Sequence, residues 1–142
     1  MLLFPLLFAW TLSAQDAADA ILGNYKSTQD GYEFKARISK KTDGTYIAKV
    51  YWIKDAIDPA TGEKRKDVKN PNKALRDTPC DRIVLMDGLR YIAEKNQWGE
   101  TKVYDPLRGI RANVVVRFLP DGRLAVKGSL LGISETVYWT RV

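Results

Sequence analysis

Histidine is absent from this chain of 142 residues, and cysteine occurs once, as Cys80. Without imidazole the chain cannot perform Ser-His-Asp or Cys-His catalysis or build a His-based zinc site. Cys80 has no base to activate it and no partner for an intramolecular disulfide, so we expect a buried, small apolar side chain, with a disulfide-linked dimer as the alternative. No glycine-rich phosphate loop follows a predicted strand. We therefore expect neither a cofactor nor a metal ion.

The N-terminal segment is apolar and contains no Lys or Arg. Its apolar run, from Leu2 to about Leu12, is too short to cross a bilayer, because a spanning helix needs about 20 residues. Small residues follow the run, which is typical of a secretory cleavage site. We predict a signal peptide over residues 1–14, cleaved after Ala14, and a single domain over residues 15–142 in the periplasm or outside the cell. A buried N-terminal strand or helix is the alternative.

The formal net charge is +6, and the basic residues are spread along the whole chain. The one local run, Glu63 to Lys66, lies among acidic neighbours, which is typical of a solvated loop. A contact with anionic envelope material, such as lipid headgroups or acidic glycans, is the alternative. Nucleic acid is not expected as a partner, because the chain has neither a basic stripe nor a recognition helix.

Alternation of apolar and polar residues with a period of two recurs from Tyr25 to Trp139, whereas no window of useful length has helical spacing. Hairpin turns are predicted at residues 42–45 and 120–123, because each contains the Asp-Gly pair that supplies positive φ angles. Further turns are predicted at residues 105–109 and 95–97. The pattern therefore predicts an all-β meander of about eight to ten antiparallel strands.

Each predicted strand presents one apolar face, and that face is expected to point into the core. A small barrel either fills its interior with these side chains or keeps a pocket among them. The interior side chains that we assign to a candidate ligand pocket are Phe34, Ile38, Val50, Trp52, Val114, Val116 and Leu130.

One long interruption, rich in proline, asparagine and charge, lies between Asp55 and Cys80. Loops of this length are uncommon in compact domains and are usually functional or mobile. We predict a short helical turn near Asn72 to Leu75. The loop as a whole would cover one mouth of a barrel or meet a partner protein.

The C-terminal stretch VKGSLLGISETVYWTRV, from Val126 to Val142, is interpreted as strand with Gly128 and Gly132 inside it. Glycine in a strand interior marks a sharp bend or a close approach of another backbone. A meander has two exposed edges, and closing it into a barrel removes both. We therefore predict a single small up-and-down barrel whose last strand meets its first, with both glycines at corners. Plain β-bulges in a sandwich are the alternative.

Two stretches, WGETKVYDPLRG and DGRLAVKGSLLGISETVYW, together resemble a bacterial family of exported proteins, domain of unknown function 2147. The resemblance covers roughly residues 70–142 well and the N-terminal half by general pattern. It implies no particular activity. The positions that carry it are Trp98, Val103, Tyr104, Asp105, Pro106, Gly109, Asp121, Gly122, Leu124, Val126, Gly128, Leu131, Gly132, Trp139 and Arg141.

The two chain ends are similar, more weakly, to those of lipocalin-like barrels. Such barrels carry Gly-x-Trp on the first strand and an arginine just past the last, and Gly23, Tyr25 and Arg141 occupy these positions here. The resemblance implies that the Arg141 guanidinium lies across the Tyr25 ring and shuts one end of the barrel. Stacking of this kind is worth about 0.5–2 kcal/mol. An exposed terminal arginine is the alternative.

Carboxylates are the catalytic groups that remain, and glycoside hydrolysis needs only two of them, suitably placed. The candidates are Asp105 and Glu135. Asp105 precedes Pro106 in a predicted turn, where its oxygen can cap backbone N–H groups, so a structural role is favoured. Glu135 would need a partner if it points inward, and Arg111 or Arg117 across the sheet could provide one.

Binding is the favoured function, because a small antiparallel barrel with a pocket accepts one small ligand. We predict an exported, non-enzymatic protein of the bacterial envelope that binds a small apolar or amphipathic ligand. An envelope structural or interaction protein without a pocket is one alternative. A carboxylate-dependent glycan hydrolase is the other.

Overall fold

The computed structural model describes residues 13–142, so the predicted apolar run of the signal peptide lies outside the described residues. Ala14, the predicted cleavage position, is the first residue of a short helix. The elements are α1 (Ala14–Asp19), β1 (Gly23–Gln29), β2 (Tyr32–Lys40), β3 (Tyr46–Ile53), β4 (Val84–Ile92), β5 (Gln97–Gly99), β6 (Lys102–Asp105), β7 (Ile110–Phe118), β8 (Leu124–Leu130) and β9 (Ile133–Arg141), with 3-10 turns at Lys73–Leu75, Cys80–Arg82 and Ala93–Lys95.

The strands pair antiparallel in sequence order, and β9 returns to pair with β1. Tyr25 lies opposite Arg141 and Lys26 opposite Thr140, so the last strand meets the first. The short strands β5 and β6 both lie between β4 and β7 and share one place in the ring. The predicted up-and-down barrel is confirmed: it is a closed antiparallel barrel with eight strand positions, and closure leaves no free sheet edge.

The predicted hairpin turns are confirmed. Residues 42–45 join β2 to β3, and residues 120–123 join β7 to β8. In the third turn the Gly109 amide donates to the Asp105 carbonyl at 2.8 Å. The helical turn predicted near Asn72 is also present, and its first amides are capped by the Asn72 side chain.

The C-terminal stretch is a hairpin and not one strand. Leu131 and Gly132 both have positive φ angles, 51° and 79°, and they form the two-residue turn between β8 and β9. The prediction that Gly132 is a barrel corner is therefore wrong. Gly128 lies within β8, and the pairing runs through it without a register shift on either side. A Cβ at Gly128 would stand 3.4 Å from side-chain atoms of Ala112 and Val103, which is van der Waals contact, so little room is left for a larger side chain there.

Helix α1 packs against one end of the barrel, which we call the closed end. The Trp98 indole N–H donates to the Ala18 carbonyl at 3.1 Å, and the Tyr25 hydroxyl donates to the Ile21 carbonyl at 2.7 Å. All four residues are buried. Because buried polar groups are destabilising unless they are hydrogen bonded, these two bonds fix the helix in register with the strands beneath it.

Arg141 completes the closed end. Its guanidinium lies over the rings of Tyr25 and Phe118, with its central carbon 5.0 and 5.7 Å from the ring centroids, and it donates to the backbone carbonyls of Ala20 and Leu22. Gly23 has a φ of +144°, which side chains rarely allow, and a Cβ there would lie 2.6 Å from an Arg141 nitrogen, so a side chain would displace the guanidinium from this position. The predicted arrangement of Gly23, Tyr25 and Arg141 is confirmed.

Asp19 at the end of α1 gives the closed end a dependence on pH. The Tyr46 hydroxyl donates to Asp19 at 2.5 Å and the Lys40 ammonium lies 3.1 Å from it, and these contacts, that of Tyr46 above all, lower the pKa of Asp19 to about 2. The ordinary pKa of an aspartate is near 4, so the stabilisation is present above about pH 4 and is lost as the pH falls towards 2.

We expect Asp19→Asn to lower the melting temperature at neutral pH, and the difference from wild type to shrink between about pH 4 and 2.

The control for this prediction is Tyr46→Phe, which removes the donor and leaves the carboxyl. Its melting temperature should show part of the change in pH dependence that is expected for Asp19→Asn. Melting curves followed by circular dichroism measure both variants, and a difference from wild type that stays constant across the acid range would contradict the assignment.

Candidate functional site

A cavity of about 980 Å³ opens at the end of the barrel away from α1, which we call the open end. Inner faces of seven strands, β2 to β4 and β6 to β9, form its wall, and the turns β1–β2, β6–β7 and β8–β9 form its rim together with the long loop at residues 54–83. The wall is mainly apolar and the rim carries the charges. Wall side chains include Phe34, Val50, Leu85, Val126, Val137 and Trp139.

Trp139 separates the cavity from the closed end. It is 2% exposed, and its ring packs against Tyr25 and Phe34 with centroid separations of 6.1 and 5.8 Å. Aromatic contacts in these tilted and edge-on geometries add about 0.5–1.5 kcal/mol beyond the burial of area. The motif tryptophan therefore forms a rigid floor for the cavity.

The predicted pocket residues divide into three groups. Phe34, Val50 and Leu130 line the cavity. Trp52 does not point inward at all. The remaining three point inward but pack in the core outside the cavity wall, and they are Ile38, Val114 and Val116.

A β-bulge explains the error at Trp52. The register between β2 and β3 shifts, so that Lys35 faces Trp52 while Ala36 faces Val50. The residue between, Tyr51, is the extra one, and an extra residue reverses the side of the sheet on which its successor points. Trp52 is 38% exposed on the outer face, where the Lys35 ammonium lies 4.9 Å from its ring centroid. The interior assignment of Trp52 is wrong.

The long loop is tied across the cavity mouth by a buried polar cluster. The Tyr104 hydroxyl donates to one carboxylate oxygen of Asp67 at 2.7 Å, and the Asn70 amide donates to the other at 2.9 Å. Burial, with the Asp67 hydrogen bond next, raises the pKa of Tyr104 and keeps it a neutral donor. Because Tyr104 belongs to β6, the bond joins the loop directly to the barrel.

A second attachment lies where the loop passes the β6–β7 turn. The Lys69 ammonium donates to the Leu107 carbonyl at 2.8 Å, and Gly109 lies against the Lys69 backbone. Gly109 has a φ of +67°, and a Cβ there would overlap the Lys69 carbonyl oxygen. The motif glycine is therefore required both by the turn and by the loop that crosses it.

Arg108 joins three carboxylates at the rim. Its guanidinium lies 2.7 Å from Glu135, 3.0 Å from Asp105 and 3.6 Å from Asp30. Glu135, and Asp105 after it, raise the pKa of Arg108. The cluster connects the β6–β7 turn to the start of β9 by charge-assisted hydrogen bonds and to the β1–β2 turn by a longer ion pair.

The partners predicted for Glu135, Arg111 and Arg117, are wrong, because Glu135 pairs with Arg108. Arg111 lies over the Tyr104 ring at 5.2 Å, and Arg117 donates to the Gln97 side chain at 3.3 Å. The capping role predicted for Asp105 is confirmed, because its side chain accepts from the backbone N–H of Leu107 at 2.9 Å, directly after Pro106.

The two carboxylates considered for glycoside hydrolysis, Asp105 and Glu135, both contact the Arg108 guanidinium at the rim. Cys80 lines the cavity and is half-buried, and burial raises the pKa of its thiol. Among residues 13–142 no group of three or more His, Cys, Asp or Glu side chains is placed to hold a metal ion.

Two parts of this site were missed by the sequence. The pairing of Arg108 with Asp105 could have been predicted, since the two residues are three apart in a turn that brings their side chains together. The hydrogen bond between Tyr104 and Asp67 could not, because the two residues are separated by 37 positions in the chain.

The fold is shared with a solved structure. Protein HP1028 from the human pathogen Helicobacter pylori, described as belonging to the lipocalin family, matches with a TM-score of 0.64 and 23% sequence identity over 86% of this chain and 82% of that one. The class that the fold defines is therefore that of lipocalin-like barrels.

The family described as "Uncharacterized protein conserved in bacteria (DUF2147)" matches this chain over residues 23–141. The chain belongs to this family, and the membership predicted from the C-terminal motifs extends over the N-terminal half. Among curated proteins no sequence matches the chain. In the part of the chain from residue 13 onwards, no helix has the length and apolar character needed to cross a membrane.

Proposed function

We propose that the barrel binds a small apolar or amphipathic molecule in the open-end cavity and does not transform it. The observation that supports this most directly is the cavity itself, at about 980 Å³ with an apolar wall. Small-molecule pockets usually measure about 300–1,000 Å³ and combine apolar walls with a few fixed polar groups. With the predicted signal peptide, binding would take place in the bacterial envelope.

Small residues support the proposal, because they keep the interior from filling. Gly128 on β8 and Ala112 on β7 both line the cavity as diagonal neighbours, since Gly128 lies opposite Val114, and neither carries a long side chain that would fill it. A core that served packing alone would place large side chains at such positions, because protein interiors are close-packed.

The rim supports an amphipathic ligand over a purely apolar one. Arg108 and Glu135 both line the cavity near its mouth. They could meet the polar end of a molecule whose apolar part lies against Phe34 and Trp139. Ordered polar groups at one end of an apolar pocket fix the orientation of a ligand.

Ala112→Phe tests the proposal by filling the cavity. We expect the variant to bind 1-anilinonaphthalene-8-sulfonate, an anionic amphipathic fluorescent probe, at least about tenfold more weakly than wild type, because the new ring occupies the volume available to a ligand. The measurement is a fluorescence titration. Native mass spectrometry of the protein purified from its own bacterium should in parallel show a small-molecule adduct on wild type.

The matched control is Val115→Phe, which adds a ring of the same kind on the same strand. Val115 is offset from Ala112 by an odd number of residues and so points to the opposite face of the sheet. It should bind the probe as wild type does. Equal probe binding by wild type and Ala112→Phe, with no adduct on wild type in repeated preparations, would refute the proposal.

A further inference from the structure

The tip of the β8–β9 hairpin is apolar and exposed. Leu130, Leu131 and Ile133 surround Gly132 in the sequence, and their exposed fractions are 38%, 93% and 76%. Four consecutive residues without a polar side chain at an exposed turn are unfavourable for solubility unless the turn has an interaction to make. We refer to residues 130–133 as the apolar tip.

Leu131 is unfavourable for the turn as well as for water. Its φ is 51°, in the left-handed region that such two-residue turns require, and Asn, Asp or Gly is the usual residue there. A leucine in this region is strained by its Cβ. A residue that is both strained and exposed is more readily explained by a contact than by folding, because strain of this kind is concentrated at functional positions.

Other exposed apolar side chains lie around the same mouth. Tyr32 on the β1–β2 side is 63% exposed, Val68 on the long loop is 68% exposed, and Ile110 at the start of β7 is 38% exposed. All three line the rim of the cavity, as Leu130 and Ile133 do. Together with the apolar tip they come from four separate segments and form a ring around an opening. A flat, extended apolar phase covers such a ring better than a single helix or strand laid in a groove.

Charge on the long loop favours an anionic surface. Residues 63–77 contain six Lys and Arg against three Asp and Glu, and exposed Val68 lies between Lys66 and Lys69. One of the three acids, Asp67, is buried and hydrogen bonded to Tyr104. Basic side chains beside an anionic lipid surface strengthen attachment to it.

We propose that the open end docks on an anionic lipid bilayer. The apolar tip enters the headgroup region, the basic loop contacts anionic headgroups, and the cavity mouth faces the membrane. Docking of this kind depends on buried apolar area together with electrostatic attraction. The docking proposal depends on the rim residues alone, and it would remain valid even if the cavity bound no ligand.

The test is the double variant Leu131→Asn with Ile133→Thr. The probes are vesicles of phosphatidylcholine alone and of phosphatidylcholine mixed with phosphatidylglycerol. The protein is purified from its bacterial host, and mass spectrometry identifies the residue at which the purified chain begins. Wild type should co-float with the mixed vesicles and less with the neutral ones. The double variant should partition onto mixed vesicles at least about tenfold more weakly.

The double variant is chosen so that folding is not the explanation of a loss. Asparagine is favoured at positive φ and threonine is a good strand residue, so the hairpin is kept. The matched control is Val142→Asn, which removes a side chain that is 64% exposed at the closed end and should leave partition unchanged. Ala112→Phe should still float, and the single variant Leu131→Asn, at a residue outside the cavity lining, should float more weakly and still bind the fluorescent probe, so that failure of docking and failure of ligand binding are told apart.

Absence of wild-type flotation with both vesicle types would overturn the proposal, as would equal flotation of wild type and the double variant. Equal flotation of wild type with both vesicle types would overturn the role given to the basic loop. The proposal would also be overturned if neither protein floated and wild type formed a concentration-dependent oligomer that the double variant did not form. The apolar tip would then be a contact between copies of the chain.

Discussion

Replacing Trp98 with alanine is expected to lower the free energy of unfolding by about 3–5 kcal/mol, the usual range for a large aromatic side chain removed from a core. Trp98 is 1% exposed, and its ring packs against Tyr91 and Phe118 with centroid separations of 5.0 and 5.7 Å. Its indole N–H is also the donor that holds the Ala18 carbonyl of α1. The substitution therefore leaves a cavity and a buried carbonyl without its donor.

Trp52→Ala is the matched control for Trp98→Ala. Because the bulge at Tyr51 turns Trp52 outward, the substitution removes an exposed ring and a contact with Lys35, and it should cost about 1 kcal/mol or less. Urea denaturation followed by far-ultraviolet circular dichroism measures both, and the Trp98→Phe variant should fall between them. A Trp52→Ala variant as unstable as Trp98→Ala would mean that Trp52 points inward, as unbroken alternation predicts.

The strands and most turns could be predicted because their signals are local. Alternation of period two identifies a strand with one buried face, and the Asp-Gly pairs at 43–44 and 121–122 identify two of the turns that join them. Once neighbours pair in sequence order, closure of the sheet follows from the need to remove two edges. The lipocalin-like architecture was therefore accessible without the structure.

The bulge at Tyr51 and the turn at Leu131 were missed for related reasons. A bulge inserts one residue without changing the apolar character of its neighbours. The sequence of residues 46–54 is therefore still interpreted as one alternating strand. At Leu131 the chain departs from usual turn chemistry, and leucine before glycine continues the pattern of a strand. Both departures lie close to the open end, where local preference and the final structure disagree.

The candidate site could be predicted only in part. Alternation identified Phe34 and Val50 as inward-pointing, and both line the cavity. It did not distinguish the wall of the cavity from the filled core around Val116, because that difference depends on how far each side chain lies from the closed end. The bonds that form the rim join segments far apart in sequence, such as Arg108 with Glu135, and no local pattern contains them.

Gly109→Ala is expected to lower the free energy of unfolding by about 2–5 kcal/mol. Left-handed backbone costs a residue with a Cβ about 1–2 kcal/mol, and a steric overlap in a packed region adds about 1–3 kcal/mol. The overlap is with the backbone carbonyl of Lys69, which cannot rotate away as a side chain could. The loop must therefore separate from the β6–β7 turn, and amides of residues 65–80 should exchange hydrogen faster than in wild type.

Gly122→Ala separates the two contributions to this loss. Gly122 also has a positive φ, +88°, but nothing lies within 4 Å of a Cβ placed there, so only the backbone strain of about 1–2 kcal/mol applies. Its variant should leave exchange in the long loop unchanged. If both glycine variants lost the same stability, and neither altered exchange at residues 65–80, Gly109 would be a turn residue only, and the loop would be held over the cavity by the hydrogen bonds of Tyr104 with Asp67 and of Lys69 with Leu107.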